Sequence, residues 1–138
     1  MPEWATCRRR AAAALALVAV SAPAAADQPS AAAPDPGRGA AIVSSRAQGL
    51  CALCHAVPGV PAQQTGNLGP DLAGVGARLD AQALRQRLLA PERSNPDTLM
   101  PSYARTEGLR QVTAARAGRP LLDAQQIADV LAYLGTLQ

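Results

Sequence analysis

One short motif, Cys51-Ala52-Leu53-Cys54-His55, constrains this chain more than any other feature. Two cysteines three positions apart, with a histidine directly after the second, are the attachment signature of a c-type haem. The spacing lets both thiols form thioether bonds to one edge of the porphyrin, and the histidine then lies under the ring as proximal ligand of the iron. The motif therefore predicts one covalent haem on Cys51 and Cys54, with His55 as an axial ligand.

Three other interpretations of this motif remain open at the level of sequence. A structural zinc site needs about four protein ligands, and the chain offers at most two further candidates. A redox-active dithiol belongs in a βαβ context, and no strand pattern surrounds the motif. The plainest alternative is a disulfide between Cys51 and Cys54 with an unrelated histidine beside it.

The first 26 residues have the pattern of a secretory signal peptide. Arg8 to Arg10 form a positive region, Ala11 to Val20 is an apolar run, and Ala24 to Ala26 form a small-residue cleavage site. Ten apolar residues are too few to span a bilayer, so a transmembrane helix fits less well. The paired arginines would also suit twin-arginine export, but c-type haem is attached outside the cytoplasm. We therefore expect Sec export to the periplasm.

The composition of the chain argues against nucleic-acid binding and favours a porphyrin as part of the core. After Ala26 the arginines and acids nearly balance, lysine is absent, and no basic tract suggests nucleic-acid binding. Phenylalanine is also absent, and only Tyr103 and Tyr133 remain as aromatic residues in the mature chain. Such small side chains fill a core poorly, and a porphyrin would supply the missing apolar bulk.

The mature chain is predicted to be all-α, with helices wrapped around the haem. Residues 27–37 are rich in proline and alanine and form a flexible lead-in, and residues 38–138 form the domain. A first helix is predicted over Arg38–Gln48 with Ile42, Val43 and Ala47 inward. His55–Ala77 reads as a loop, because eight glycines and prolines interrupt it.

Two later helices have clear start signals. Asp80 is predicted to cap a helix that runs to about Leu89, with Ala81, Leu84 and Leu88 inward. Asp123 and Gln126 form a reciprocal capping pair before a final amphipathic helix. The inward positions of that helix are Ile127, Val130, Leu131 and Leu134.

The loop after the motif and a single methionine supply the remaining candidate site residues. The turn at Gly69-Pro70 could offer a backbone carbonyl to the second ring nitrogen of His55, or it could be an ordinary turn. His55 is the only histidine, Met1 leaves with the leader, and Met100 is then the one usual distal ligand left. Met100 as a core gap-filler and Tyr103 as a ligand are the alternatives.

Histidine–methionine ligation would suit electron transfer. A thioether favours ferrous iron and raises the reduction potential relative to two histidines. Two protein ligands also leave no open position on the iron for peroxide or dioxygen. With both motif cysteines bound to the porphyrin, no thiol or second histidine remains as a nucleophile or base.

Four blocks in order resemble a known family. They are Gly49–His55, Gly66–Leu72, Asn95–Pro101 and Tyr103–Gly108, and together they resemble the SoxX cytochromes of the periplasmic sulfur-oxidation system. The similarity covers about Gly39 to Leu137, including the long segment between Met100 and the last helix. It implies a class I cytochrome c-like fold with one haem on Cys51 and Cys54 and with His55 and Met100 as axial ligands.

The resemblance also implies a role in a complex. A SoxX subunit pairs with SoxA, another haem protein, as an L-cysteine S-thiosulfotransferase that oxidatively joins thiosulfate to a cysteine of the carrier SoxYZ. The reactive haem with a cysteine ligand belongs to SoxA, and SoxX accepts electrons. The arginine-rich segment Pro101–Leu122 is then a candidate partner surface or an exposed loop. A free-standing periplasmic electron carrier is the alternative function.

Overall fold

Four α-helices and three short 3₁₀ turns build the domain. The computed structural model describes Met1 and residues 32–138 of the 138-residue chain. The predicted signal peptide, apart from Met1, and residues 27–31 of the predicted lead-in lie outside these residues. The helices are α1 (Pro36–Ser44), α2 (Val75–Arg78), α3 (Ala81–Leu89) and α4 (Ala124–Thr136), and the 3₁₀ turns are Cys51–Leu53, Ala62–Gln64 and Pro91–Arg93.

The all-α prediction is confirmed for the described part of the chain, which contains no strand. No helix within it is long and apolar enough to cross a membrane. Buried residues from α1, α3, α4 and the intervening loops form one hydrophobic cluster. The side chains of Val43, Leu122 and Val130 are almost completely shielded from solvent.

The first helix differs from its predicted bounds at both ends. It begins at Pro36, because the Asp35 carboxylate accepts hydrogen bonds from the backbone N–H groups of Gly37 and Arg38 and proline suits the first helical position. It ends at Ser44 rather than Gln48, because Ser45 turns into an extended conformation. Ile42 and Val43 are buried as predicted, but Ala47 is exposed in the following turn.

The two capped helices agree closely with the sequence. The Asp80 carboxylate accepts from Ala83 N at 2.7 Å, and Leu84 and Leu88 of α3 are buried, although Ala81 is exposed. Asp123 and Gln126 form the predicted reciprocal cap of α4. In the loop predicted over His55–Ala77, a short 3₁₀ turn and the start of α2 interrupt the irregular backbone.

Helices α1 and α4 cross at a point where only glycine fits. A Cβ placed on Gly39 would lie 2.0 Å from the Asp129 carbonyl oxygen, far inside van der Waals contact. Beside the crossing, the Arg38 guanidinium donates two hydrogen bonds of 2.8 Å to the buried carboxylate of Asp129. The backbone N–H of Asp35 donates to the same carboxylate at 2.8 Å, so the start of α1 is fixed to α4.

Candidate haem site

The two motif cysteines lie on one tight turn directly after α1. Cys51 begins a 3₁₀ turn and Cys54 ends it, with a backbone hydrogen bond from Cys54 N to Cys51 O at 3.1 Å. Both thiols are free, so the disulfide alternative is not the arrangement seen here. Cys51 is buried and Cys54 is half-buried. The turn therefore presents two reduced thiols from neighbouring positions, as thioether attachment to one porphyrin edge requires.

The zinc interpretation of the motif finds no support in the geometry. Among the described residues, no group of three histidine, cysteine or acidic side chains is close enough to hold a metal ion. Zinc in structural sites is held by four such ligands. The histidine and the two cysteines of the motif are thus arranged without the additional ligands that a zinc ion would need.

His55 follows the turn and is held by a backbone carbonyl. Its Nδ1 lies 2.6 Å from the carbonyl oxygen of Pro70. Because a carbonyl can only accept, Nδ1 carries the proton, and Nε2 keeps its lone pair for a metal. The predicted role of the Gly69-Pro70 turn is confirmed. The close fit depends on Gly69, where a Cβ would lie 2.4 Å from Cε1 of the imidazole.

Met100 lies on the loop after α3 and is half-buried against the hydrophobic cluster. Hydrogen bonds fix the backbone on both sides of it. Thr98 Oγ1 accepts from Met100 N at 3.1 Å, and two residues after Pro101 the N–H of Tyr103 donates to Leu88 O at 2.9 Å. Met100 also lines a cavity of about 650 Å³ that extends to Leu50, beside Cys51. That volume lies in the range of small-molecule binding pockets.

Charged and apolar side chains surround this cavity, which we call the Met100 cavity. Its apolar lining includes Leu50, Leu109, Val112 and Leu121. Its charged lining consists of Glu92, Arg105, Arg116 and Arg119, and Arg105 forms a 2.5 Å ion pair with Glu92. Of the predicted haem-binding residues, Met100 lines this cavity, whereas Cys51, Cys54 and His55 do not.

Tyr103 is a site residue whose role the sequence did not predict. Its side chain is 3% exposed, and its hydroxyl donates to Gly49 O at 2.8 Å and lies 3.7 Å from Cys51 Sγ. Burial raises the pKa of Tyr103, so the hydroxyl stays protonated. Burial also raises the pKa of the Cys51 thiol. Tyr103 therefore connects the Met100 loop to the residues just before the cysteine turn through the hydrogen bond that its hydroxyl donates.

Comparison with known proteins agrees with this arrangement. The family model for cytochrome c matches residues 37–138. The chain belongs to the cytochrome c family. It carries a covalently bound haem c, and the single C-x-x-C-H motif means one haem.

A solved structure narrows the type of cytochrome. A chain of the crystal structure of SoxXA from P. pantotrophus is 31% identical, with a TM-score of 0.68, over 77% of this cytochrome and 83% of that chain. No curated protein sequence matches at a significant level. The chain is a monohaem cytochrome of the SoxX type, as its sequence blocks predicted.

Proposed function

We propose that this cytochrome is the electron-accepting subunit of a periplasmic L-cysteine S-thiosulfotransferase. In this proposal a SoxA-type cytochrome is its partner, and the complex joins thiosulfate to the carrier cysteine of SoxYZ. The observation that carries the proposal is the set of residues that would hold the haem, in a chain similar to one of the SoxXA structure. Cys51 and Cys54 are free thiols, the His55 imidazole is held by Pro70 O, and Met100 offers a thioether. These groups suit a haem whose iron would have two protein ligands.

Each site residue has one task in this proposal. Cys51 and Cys54 hold the porphyrin by thioether bonds. His55 would offer Nε2 to the iron while its Nδ1–H donates to Pro70 O, and Met100 would offer its thioether sulfur from the loop after α3. When bound, the haem would supply reversible one-electron storage.

The electron count of the reaction requires such an acceptor. Joining a carrier thiol to the thiosulfate dianion forms one sulfur–sulfur bond and releases one proton and two electrons. A single haem takes one electron at a time, so this subunit would accept them in successive steps and pass them to a further acceptor. No free thiol outside the motif exists in the described part of the chain to hold a sulfur intermediate. The sulfur chemistry then belongs to the partner.

The location follows from the same reasoning. Residues 1–26 have the pattern of a cleaved Sec signal peptide, and residues 38–138 contain the proposed haem domain. Because c-type haem is attached outside the cytoplasm, export before maturation is required. We therefore place the mature cytochrome in the periplasm.

Reconstitution tests the proposal. The purified holo-cytochrome alone should take up electrons from a chemical reductant and show no thiosulfate conjugation to SoxYZ. Addition of a SoxA-type cytochrome should give conjugated carrier, detected as a mass increase on the SoxYZ cysteine, together with reduction of this haem. Conjugation by the isolated chain would overturn the assignment of roles. Conjugation by the partner alone, with no effect of this chain, would favour a free-standing carrier.

A further inference from the structure

Arg78, the last residue of α2, donates to backbone carbonyls in the turn that orients His55. Its Nη2 lies 2.7 Å from Asp71 O, and its Nη1 lies 2.5 Å from Ala73 O. Both acceptors precede α2, so the guanidinium does not cap the carbonyls at the end of its own helix. Arg78 forms no ion pair with an acid in the described part of the chain. Its donors are therefore directed to this turn.

The carbonyl that binds Arg78 is one residue away from the carbonyl that binds His55. Pro70 O accepts from His55 Nδ1 at 2.6 Å, and Asp71 O is the next carbonyl along the chain. Because peptide units are planar, only the two backbone torsions of Asp71 separate these carbonyls. Fixing Asp71 O therefore restricts the direction in which Pro70 O can point.

Two neutral backbone hydrogen bonds also hold this turn. Gly69 N donates to Cys54 O at 2.7 Å, and Leu72 N donates to Ala56 O at 3.0 Å. Arg78 adds a charged donor that reaches two carbonyls at once. Hydrogen bonds from a charged donor are stronger than neutral ones, and the planar guanidinium loses little rotamer freedom for each bond that it forms. Arg78 is therefore expected to contribute beyond the backbone bonds.

The backbone that carries Arg78 is itself fixed, because α2 packs against the end of α4. Gly76 N donates to Leu137 O at 2.7 Å. A Cβ on Gly76 would lie 2.8 Å from Gly135 O, so the two backbones are in close contact. The guanidinium thus connects the C-terminal end of the domain to the turn beside His55.

We infer that Arg78 is a positioning residue that sets the strength of the hydrogen bond from His55 Nδ1 to Pro70 O. The inference rests on the proposed role of His55 as an axial ligand. A stronger hydrogen bond at Nδ1 makes the imidazole a more basic ligand, and a more basic ligand favours ferric iron. Arg78 would therefore affect the iron through the turn rather than by binding it.

Exchange of the His55 Nδ1 proton with solvent, followed by NMR on the reduced, matured cytochrome, tests this inference. In Arg78→Leu, which deletes both donors, this proton should exchange about tenfold faster than in the parent, as for one lost hydrogen bond from a charged donor. Arg78→Lys, which keeps the charge on a single ammonium, should give an intermediate rate. Arg85→Leu is the matched control and should not change the rate, because Arg85 is exposed on α3 and forms no ion pair among the described residues.

A second proton in the same samples separates positioning from general destabilisation. The backbone amide of Val130, a fully buried residue of α4, reports global opening. Its exchange rate should change less than that of the His55 ring proton. An unchanged ring-proton rate in Arg78→Leu would overturn the inference, and so would an equal acceleration of both protons.

The charge-conserving variant keeps the inference testable if Arg78→Leu does not mature. Arg78→Lys must then show faster exchange of the His55 ring proton and a higher reduction potential than the parent, because its charge is unchanged and only the turn is loosened. Failure of either result would overturn the inference while leaving the proposed function intact. A parent chain whose iron is not bound by His55 would instead contradict the haem site on which the proposed function depends.

Discussion

At the scale of single residues, Gly69 controls the orientation of His55, the proposed proximal ligand. The absence of a side chain at this position lets the Gly69-Pro70 turn approach the imidazole edge closely enough for Pro70 O to accept from Nδ1. A histidine held in this way has a fixed tautomer and ring plane, and it is a more basic ligand. The redox properties of an iron bound by His55 would therefore depend on a residue that does not bind the iron.

Replacing Gly69 tests this dependence. In Gly69→Ala the new methyl would overlap the His55 ring, so either the ring or the turn must move. We expect a loss of about 1–3 kcal/mol in the free energy of unfolding from overpacking. We also expect a higher reduction potential, because the hydrogen bond to Pro70 weakens. Denaturant unfolding and redox titration measure the two effects.

Gly135→Ala is the control for that substitution. Gly135 lies in α4, and a Cβ there meets no atom within 4 Å. Alanine is the better helix former by up to about 1 kcal/mol, so this variant should be as stable as the parent or more stable, with an unchanged potential. Equal behaviour of the two variants would show that close approach at Gly69 does not position His55.

At the scale of helices and loops, the ion pair of Arg38 with Asp129 joins α1 to α4. The hydrogen bond from the Arg38 guanidinium is the main reason that the pKa of Asp129 lies well below its usual value. A carboxyl group with a lowered folded-state pKa stabilises the fold above its unfolded pKa of about 3.9. That stabilisation is lost as the pH falls through the folded-state pKa.

The variant Asp129→Asn should therefore be less stable than the parent at neutral pH, and the difference should narrow as the pH falls below about 4. Guanidinium unfolding across this range measures it. Asp97→Asn is the control, because Asp97 is exposed and forms no ion pair in the described residues. A constant difference between Asp129→Asn and the parent at every pH would mean that the charge of Asp129 is not what joins the helices.

Tyr103 connects a second pair of elements, the Met100 loop and the cysteine turn. In Tyr103→Phe the buried Gly49 carbonyl loses its side-chain donor, at a cost of about 1–3 kcal/mol. We expect faster replacement of the Met100 ligand by added imidazole, because the loop is less well anchored. Stopped-flow spectroscopy of the ferric protein measures the rate. Tyr133→Phe should leave it unchanged, since no hydrogen bond of the Tyr133 hydroxyl is present in the described part. An equal rate in both variants would contradict this role.

Local patterns made some of these elements predictable. The C-x-x-C-H motif and the caps at Asp80 and Asp123 involve residues within a few positions of one another, so spacing alone specifies them. The contact between Tyr103 and Gly49 spans 54 positions, and that between Arg38 and Asp129 spans 91. No short pattern encodes such pairs. One signal was present for Asp129, an acid next to the inward positions of an amphipathic helix, which needs a buried partner.

At the scale of the whole molecule, the small side chains of the sequence are consistent with the open space beside Met100. A chain without phenylalanine has few large side chains for its core, and the structure leaves about 650 Å³ beside Met100. Leu109 and Val112 in its lining are exposed, so this is an open cleft that a haem bound by Met100 would partly cover. The extent of the cavity and its arginine lining depend on how the segment Pro101–Leu122 folds back, which helical periodicity could not predict.

We propose that His55 and Met100 would both bind the haem iron, so that the iron transfers electrons without binding small molecules. Carbon monoxide added to the reduced, isolated cytochrome tests it most directly, because this ligand needs a free or weakly held position on ferrous iron. We predict no change in the Soret spectrum of the parent and prompt binding in Met100→Ala, which serves as the positive control. Carbon monoxide binding by the parent as fast and as completely as by Met100→Ala would contradict the account.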